Sequence, residues 1–244
     1  MNNRDSWVMV DDDDKGPEAP APKPLQGFER INRYWDPVHK FYAAKILPGE
    51  YYITLSKEVV ITVLGSCIAA CVRDTVKGIG GMNHFMLPLL SQTSTKGVGS
   101  SGQDLSLRYG DYAMAQLINE IIKFGGRREN LEVKIFGGGS VLEQMTEIGN
   151  RNITFVHEYL QKAGLRVAGE DTGGIYPRKV YYSPEDGRAL VKVLQTLNNN
   201  TIIDREASYQ TTLGKLREQE INKRPEVSSV CLARVHLSRD SMLG

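Results

Sequence analysis

Two residues in the stretch LGSCIAACVRDTVKGIGGMNHFMLP, Leu64 to Pro88, could do chemistry together: Cys67, just after a Gly-Ser pair, and His84, beside an asparagine. A free thiol near neutral pH is mostly protonated, with a pKa of about 8.5, and needs a positive neighbour to become a nucleophilic thiolate. An imidazole can be that neighbour and can also carry protons. The chain between them has the means to reverse. Asp74 and the glycines at 78, 80 and 81 permit a turn, so the flanking strands can pair antiparallel and return His84 to the side of Cys67. Gly65 and Ser66 let the backbone come close to a substrate carbonyl, and their amides could steady an oxyanion. A third group usually orients the histidine. Thr62, Ser66 and Asn83 are candidates. Asn83 is adjacent to His84 and on a strand points to the opposite face, so Thr62, on the strand entering the turn, suits the role better.

The same residue types also fill cores. A cysteine in an apolar strand is most often a small buried hydrophobe, and Cys71 in its Ala-Ala-Cys-Val setting reads that way. Spacing alone leaves Cys67 open between nucleophile and core. No metal site is expected. Cys67 and Cys71 are spaced Cys-x3-Cys, no second pair follows, and only His84 and distant Cys231 could complete a set. His39, His157 and His236 lack recognisable partners and read as surface or satisfied side chains. FGGGS, Phe136 to Ser140, lies between a strand and a helix but has neither the Gly-Lys-Ser/Thr of a phosphate loop nor Gly-x-Gly-x-x-Gly spacing. Close backbone packing is its expected use. EDTGG, Glu170 to Gly174, reads as a turn before it reads as a site.

The elements that must position these residues are mostly strands. YYITLS and EVVITVL are runs of strand length, CIAACVRD resumes as a strand although its alanines would also suit a helix, and GIGGMNHFMLP is a turn followed by a strand. Leu89 to Gly110 is polar, rich in Gly and Ser and aperiodic, and reads as a long loop. Asp111 to Phe124 is the clearest helix, with Met114, Leu117, Ile118, Ile121 and Ile122 on one face and Gly125-Gly126 to end it. LEVKIF is a strand. A short helix is expected around Val141 to Ile148, and a second one capped by Asn152. LRVAGEDTGG opens with a strand, and RKVYYSPEDGRALVKVL is a hairpin. FERINRYWDPVHKFYAAKILPGE, rich in aromatics, is expected to pack on the domain as an arm. This pattern predicts an α/β (α+β) fold: a layered domain with an antiparallel-rich β-sandwich and two to three helices packed on it.

Composition bounds the function. The 244 residues are 41% hydrophobic and 24% charged, as in ordinary globular chains. A net charge of +1 supplies no field for a polyanion, so nucleic acid and anionic membrane are discounted as partners. No apolar run has membrane-spanning length, and the start lacks the pattern of a signal peptide. Three cysteines are too few for a disulfide scaffold and suit a reducing cytoplasm. Residues 1–26, with VDDDDKGPEAPAPKP, read as a disordered tail or a cloning scar, since DDDDK is also an engineered protease sequence. Residues 27–197 form the expected domain, and 198–244 a polar C-terminal extension with one helix around Leu213 to Ile221.

Six segments in order, LGSCIAACVRD, GIGGMNHFMLP, LRYGDYAM, KIFGGGS, IGNRNITFV and GEDTGGIYPRKVYYSPEDG, resemble the CheD family, the chemoreceptor glutamine deamidases of bacterial chemotaxis. The likeness covers roughly Glu50 to Leu194. It implies that Cys67 is the nucleophile and His84 its base, with Thr62 completing the set. Gly65, Ser66 and Asn83 would line the oxyanion or substrate site. It implies a β-sandwich fold similar to toxin deamidases such as cytotoxic necrotizing factor, no cofactor and a cytoplasmic location. The substrate would be glutamines on the cytoplasmic domain of methyl-accepting chemoreceptors, converted to glutamate through a thioester. A CheC-type phosphatase is a second partner the likeness implies, and a non-catalytic adaptor for receptor or phosphatase is the alternative function.

Overall fold

The computed structural model describes residues 20–88, 101–141, 146–195 and 201–222. In chain order the strands are β1 (Asn32–Asp36), β2 (Phe41–Lys45), β3 (Tyr51–Thr54), β4 (Glu58–Leu64), β5 (Ile68–Asp74) and β6 (Gly80–Asn83). Helix α1 (Ser101–Lys123), β7 (Leu131–Gly137), α2 (Thr146–Lys162), β8 (Val167–Thr172), β9 (Arg178–Tyr182), β10 (Ala189–Val193) and α3 (Thr201–Asn222) follow. They form two five-stranded sheets, ordered β1-β2-β4-β9-β10 and β3-β6-β5-β7-β8. The pairs β2–β4 and β7–β8 are parallel and the remaining pairs antiparallel, so the expected antiparallel-rich α+β layering holds.

Strand alternation decides what faces what. Along β4, Val60 and Leu64 join the main core, while Val59 and Ile61 join a small cluster with Ala43 and Tyr181 on the other face. Thr62 shares the inner face with Val60 and Leu64. The second sheet lies across that core, and α1 and α2 cover its far side with Met114, Leu117, Ile118, Ile121, Phe155, Val156 and Leu160. Close packing of β3 on β6 requires glycine at 81, where a Cβ would stand 1.9 Å from the Tyr52 carbonyl oxygen.

Four expectations are corrected. The aromatic segment is no arm, because β1 and β2 are built into the first sheet. Helix α1 begins at Ser101, so the second half of the expected long loop is helical; residues 89–100 lie outside the described residues. Helix α2 runs unbroken from Thr146 through Asn152, which is inside it rather than at its cap; residues 142–145 of the expected short helix lie outside the described residues. Helix α3 begins at Thr201, well before Leu213. No helix among the described residues is long and apolar enough to cross a membrane.

Candidate active site

The β5–β6 register returns His84 to Cys67. Cys71 pairs with Met82, and Ile68 bridges Phe85 in the same register. Counting along it sets His84 opposite Ala69, two residues from Cys67 and on the same face of the pleat. The backbone of His84 is held on its other side, donating to the Glu50 carbonyl at 2.9 Å and accepting from the Gly49 amide at 2.7 Å. Thr62 reaches the ring from the opposite sheet, with Oγ1 2.7 Å from His84 Nδ1. The Thr62 hydroxyl donates its one proton to the Ile46 carbonyl, 2.9 Å away, so Oγ1 must accept from Nδ1–H. That contact selects the tautomer with a bare Nε2, the form a general base needs. Nε2 is buried and has no hydrogen-bond partner among the described residues.

Cys67 lies on a loop whose carbonyls are all tied back into the domain. The Gly65 and Cys67 carbonyls accept from the Gly139 and Gly138 amides at 2.7 Å each, and the Ser66 carbonyl accepts from Asn152 Nδ2 at 2.8 Å. Gly137, at φ +109°, is required beneath the loop, because a Cβ there would come within 2.1 Å of the Cys67 carbonyl oxygen. With the carbonyls directed inward, the amides of Gly65, Ser66 and Cys67 converge on one point. That point holds the carboxylate of Glu206 from α3, which accepts from Gly65 N at 2.8 Å, Ser66 N at 2.8 Å, Ser66 Oγ at 2.8 Å and Cys67 N at 3.3 Å.

Cys67 Sγ, a ring nitrogen of His84 and an oxygen of Glu206 lie within 4.8 Å of one another, all buried. Burial pushes the Cys67 thiol well above its ordinary pKa, and the charge and hydrogen bond of Glu206 push it further. Burial, with a smaller contribution from Arg205 on α3, lowers His84 to about 3. In this arrangement the thiol is protonated and the imidazole neutral. The three residues have the chemistry of a divalent-metal set, but both Glu206 oxygens are engaged by backbone amides, and Cys71 stands apart in the core. Cys231 lies outside the described residues.

Thr62, Gly65, Ser66, Cys67 and His84 thus meet at one place. The Asn83 side chain does not enter that cluster. Its Oδ1 accepts from Ala70 N at 2.9 Å and its Nδ2 donates to the Ala113 carbonyl at 3.0 Å, joining β5 to α1. Asn83 and His84 both line a neighbouring cavity of about 230 Å³ with Gly49, Tyr109 and Gln116. His39 and His157 have acidic partners, Asp36 and Glu170; His236 lies outside the described residues. FGGGS supports the cysteine loop rather than a phosphate. EDTGG is not simply the expected turn: Glu170 to Thr172 end β8 and only the glycines lie beyond it, with the Gly174 carbonyl accepting from Ser140 N at 2.7 Å and Arg178 paired with Asp171. Sequence reasoning missed Asn152 and Glu206. Asn152 had a legible signal, a carboxamide in the middle of an apolar helical stripe. Glu206 had none beyond the helical spacing of Tyr209 and Leu213 after it.

Residues 86–193 match the family model for CheD chemotactic sensory transduction. A protein of Halorhodospira halophila, named "Probable chemoreceptor glutamine deamidase CheD", is 50% identical over 202 residues, 83% of this chain and 92% of its own. Proteins of the same name from Hahella chejuensis and Methylobacillus flagellatus are 48% identical over 197 residues and 53% identical over 192. These alignments cover 80% and 78% of this chain and 90% and 93% of theirs. With such identity across nearly the whole length of these relatives, the chain belongs to the CheD family.

Proposed function

We propose that this chain hydrolyses glutamine side chains of chemoreceptors to glutamate, with Cys67 as nucleophile, His84 as general acid and base and Thr62 as the residue that orients His84. The observation that carries the reading is the loop at Gly65–Cys67, whose amides converge beside the thiol while Nε2 of His84 stands bare. The name carried by these relatives supplies the substrate class.

Nε2 takes the thiol proton and the sulfur attacks the carboxamide carbon of the glutamine. The carbonyl π bond opens onto oxygen, and the amides of Gly65, Ser66 and Cys67 hold the resulting oxyanion. The protonated imidazole then gives its proton to the leaving nitrogen. The C–N bond breaks, ammonia departs and a thioester remains. Water, deprotonated by the same nitrogen, attacks the thioester, releasing glutamate and the thiol. General acid–base help of this kind is typically worth about 10²–10⁴-fold, and one oxyanion donor roughly 10²–10³-fold. Mass spectrometry of receptor peptides tests the reading. Native protein should convert glutamine to glutamate and Cys67→Ala should not; equal conversion by both would remove Cys67 from the mechanism.

The buried, protonated state of Cys67 favours a second reading, an adaptor that binds receptor or a CheC-type phosphatase in the cytoplasm without turnover. Ammonia release on receptor addition separates the two, since an adaptor binds and releases none.

A further inference from the structure

We propose that the amide pocket of Gly65–Cys67 is a side-chain site for a helix-borne glutamine or glutamate, and that α3 is its resident occupant, with Glu206 standing where the product carboxylate forms. This rests on the deamidase reading and adds to it how the substrate is presented and what keeps the site shut.

Glu206 is a carboxylate on a helix, it is 2% exposed, and every hydrogen bond described for it comes from the loop of the proposed nucleophile. It is also hydrogen-bonded to the thiol itself. A glutamate side chain differs from a glutamine side chain only in oxygen for nitrogen at the reacting carbon. The pocket therefore already holds the product of the proposed reaction, delivered from a helix. At Gly65 a Cβ would stand 2.8 Å from Glu206 Oε2, so only glycine admits the carboxylate this close.

The rest of the contact shows how a helix lies across the site. Glu206, Tyr209 and Leu213 follow helical spacing and share one face. Leu213 is buried in the core, Tyr209 lies against Gly49, and the Tyr209 hydroxyl is hydrogen-bonded to that of Tyr109 on α1. The opposite face, with Asp204, Ala207, Ser208, Thr211 and Thr212, is exposed. So narrow a seam is suited to opening without loss of the sandwich. While α3 is seated, the Cys67 thiol donates toward Glu206 and Nε2 of His84 is left alone. Departure of α3 frees the thiol to turn to Nε2 and empties the amides for a substrate carboxamide.

The test uses the full chain carrying Glu206→Gln. With its carbonyl oxygen on the Gly65 and Cys67 amides and its NH2 toward the Ser66 hydroxyl, which can rotate to accept, the introduced carboxamide is itself a substrate: Cys67 displaces its nitrogen as ammonia, water resolves the thioester, and residue 206 becomes glutamate again. The peptide bearing residue 206 should gain the mass of an NH2-to-OH exchange over time. It should not do so in the Cys67→Ala/Glu206→Gln double variant. In parallel, Glu206→Ala should deamidate a receptor fragment, and react with iodoacetamide at Cys67, roughly tenfold or more faster than native protein, because the open fraction sets the rate. Self-conversion or the Glu206→Ala acceleration supports the proposal even if no receptor glutamine is touched, an outcome that would sink only the receptor substrate. Receptor deamidation by native protein, with the carboxamide of Glu206→Gln unconverted and Glu206→Ala no faster, would overturn the proposal and leave the deamidase reading standing.

Discussion

Each end of β5 holds a buried carboxylate among backbone amides, and the two carboxylates have different origins. At the far end, Asp74 accepts from Val76 N at 2.8 Å, Lys77 N at 2.9 Å and Arg127 N at 2.7 Å. At the near end, Glu206 accepts from the amides of Gly65, Ser66 and Cys67. Asp74 belongs to the turn it closes; two of its donors are two and three residues away. Glu206 comes from a helix 139 to 141 residues distant. A turn that needs an anion supplies its own. On the proposed reading, amides that take their carboxylate from a remote helix can exchange it for a substrate, so the far end is scaffold and the near end is site.

If that contrast is right, stability and activity separate between the two ends. The largest effect should be on activity at the near end. His84→Gln should slow receptor deamidation by about 10²–10⁴-fold, measured as ammonia release, while its unfolding free energy falls only by the one bond Nδ1 makes to Thr62, about 0.5–1.5 kcal/mol. A matching collapse of stability would make His84 a scaffold residue. Next comes the far end. Asp74→Ala strands amides in a turn and should cost about 1–3 kcal/mol in urea unfolding, with the deamidation rate per folded molecule unchanged. Third is Thr62→Val, which keeps the shape but loses the acceptor that fixes the ring. The expected rate loss is about 5–30-fold, equivalent to about 1–2 kcal/mol, with KM little altered.

The smallest effect is in pH dependence. Burial lowers His84 to about 3 in the fold, whereas the unfolded imidazole titrates near its ordinary value of about 6.5. Between those values the unfolded chain binds the extra proton, so stability falls as pH falls through that window. Going from about pH 7.5 to 6 should cost about 1 kcal/mol, and His84→Gln should flatten that slope. Asp74 acts lower. Burial opposes its charge, but the amides of Lys77, Arg127 and Val76 outweigh burial and hold its pKa below the ordinary value. Its contribution is present above the unfolded carboxylate value and lost only as pH drops through its lowered one. An unchanged slope in His84→Gln would mean the ring is not held neutral by the closed site.

The sequence makes legible what is local. β-Branched and aromatic runs mark β3 and β4, and the turn glycines after Asp74 are enough to predict that His84 comes back beside Cys67. Alternation sets Asn83 aside and leaves Thr62 the better orienter, and the family resemblance points to the same residue. What fails is tertiary. The first turns of α1 carry Gly and Ser and look like loop, yet Gly110 is where the helix meets Phe155, with no room for a Cβ. Asn152 looks like a cap because asparagine usually caps, but its carboxamide is spent on Leu87 N and the Ser66 carbonyl. Glu206 is one acid among many in a polar segment, and no spacing rule reaches from it to Gly65.

The most direct test is capture of the covalent intermediate. Full-length protein is mixed with a receptor cytoplasmic fragment, quenched in acid during turnover, digested and searched by mass for a glutamyl thioester on Cys67. The account predicts that adduct on Cys67 in Glu206→Ala, at higher occupancy than in native protein, and no glutamate formation by Cys67→Ala. Glutamate appearing at undiminished rate in Cys67→Ala, with Cys67 unmodified in the others, would contradict it.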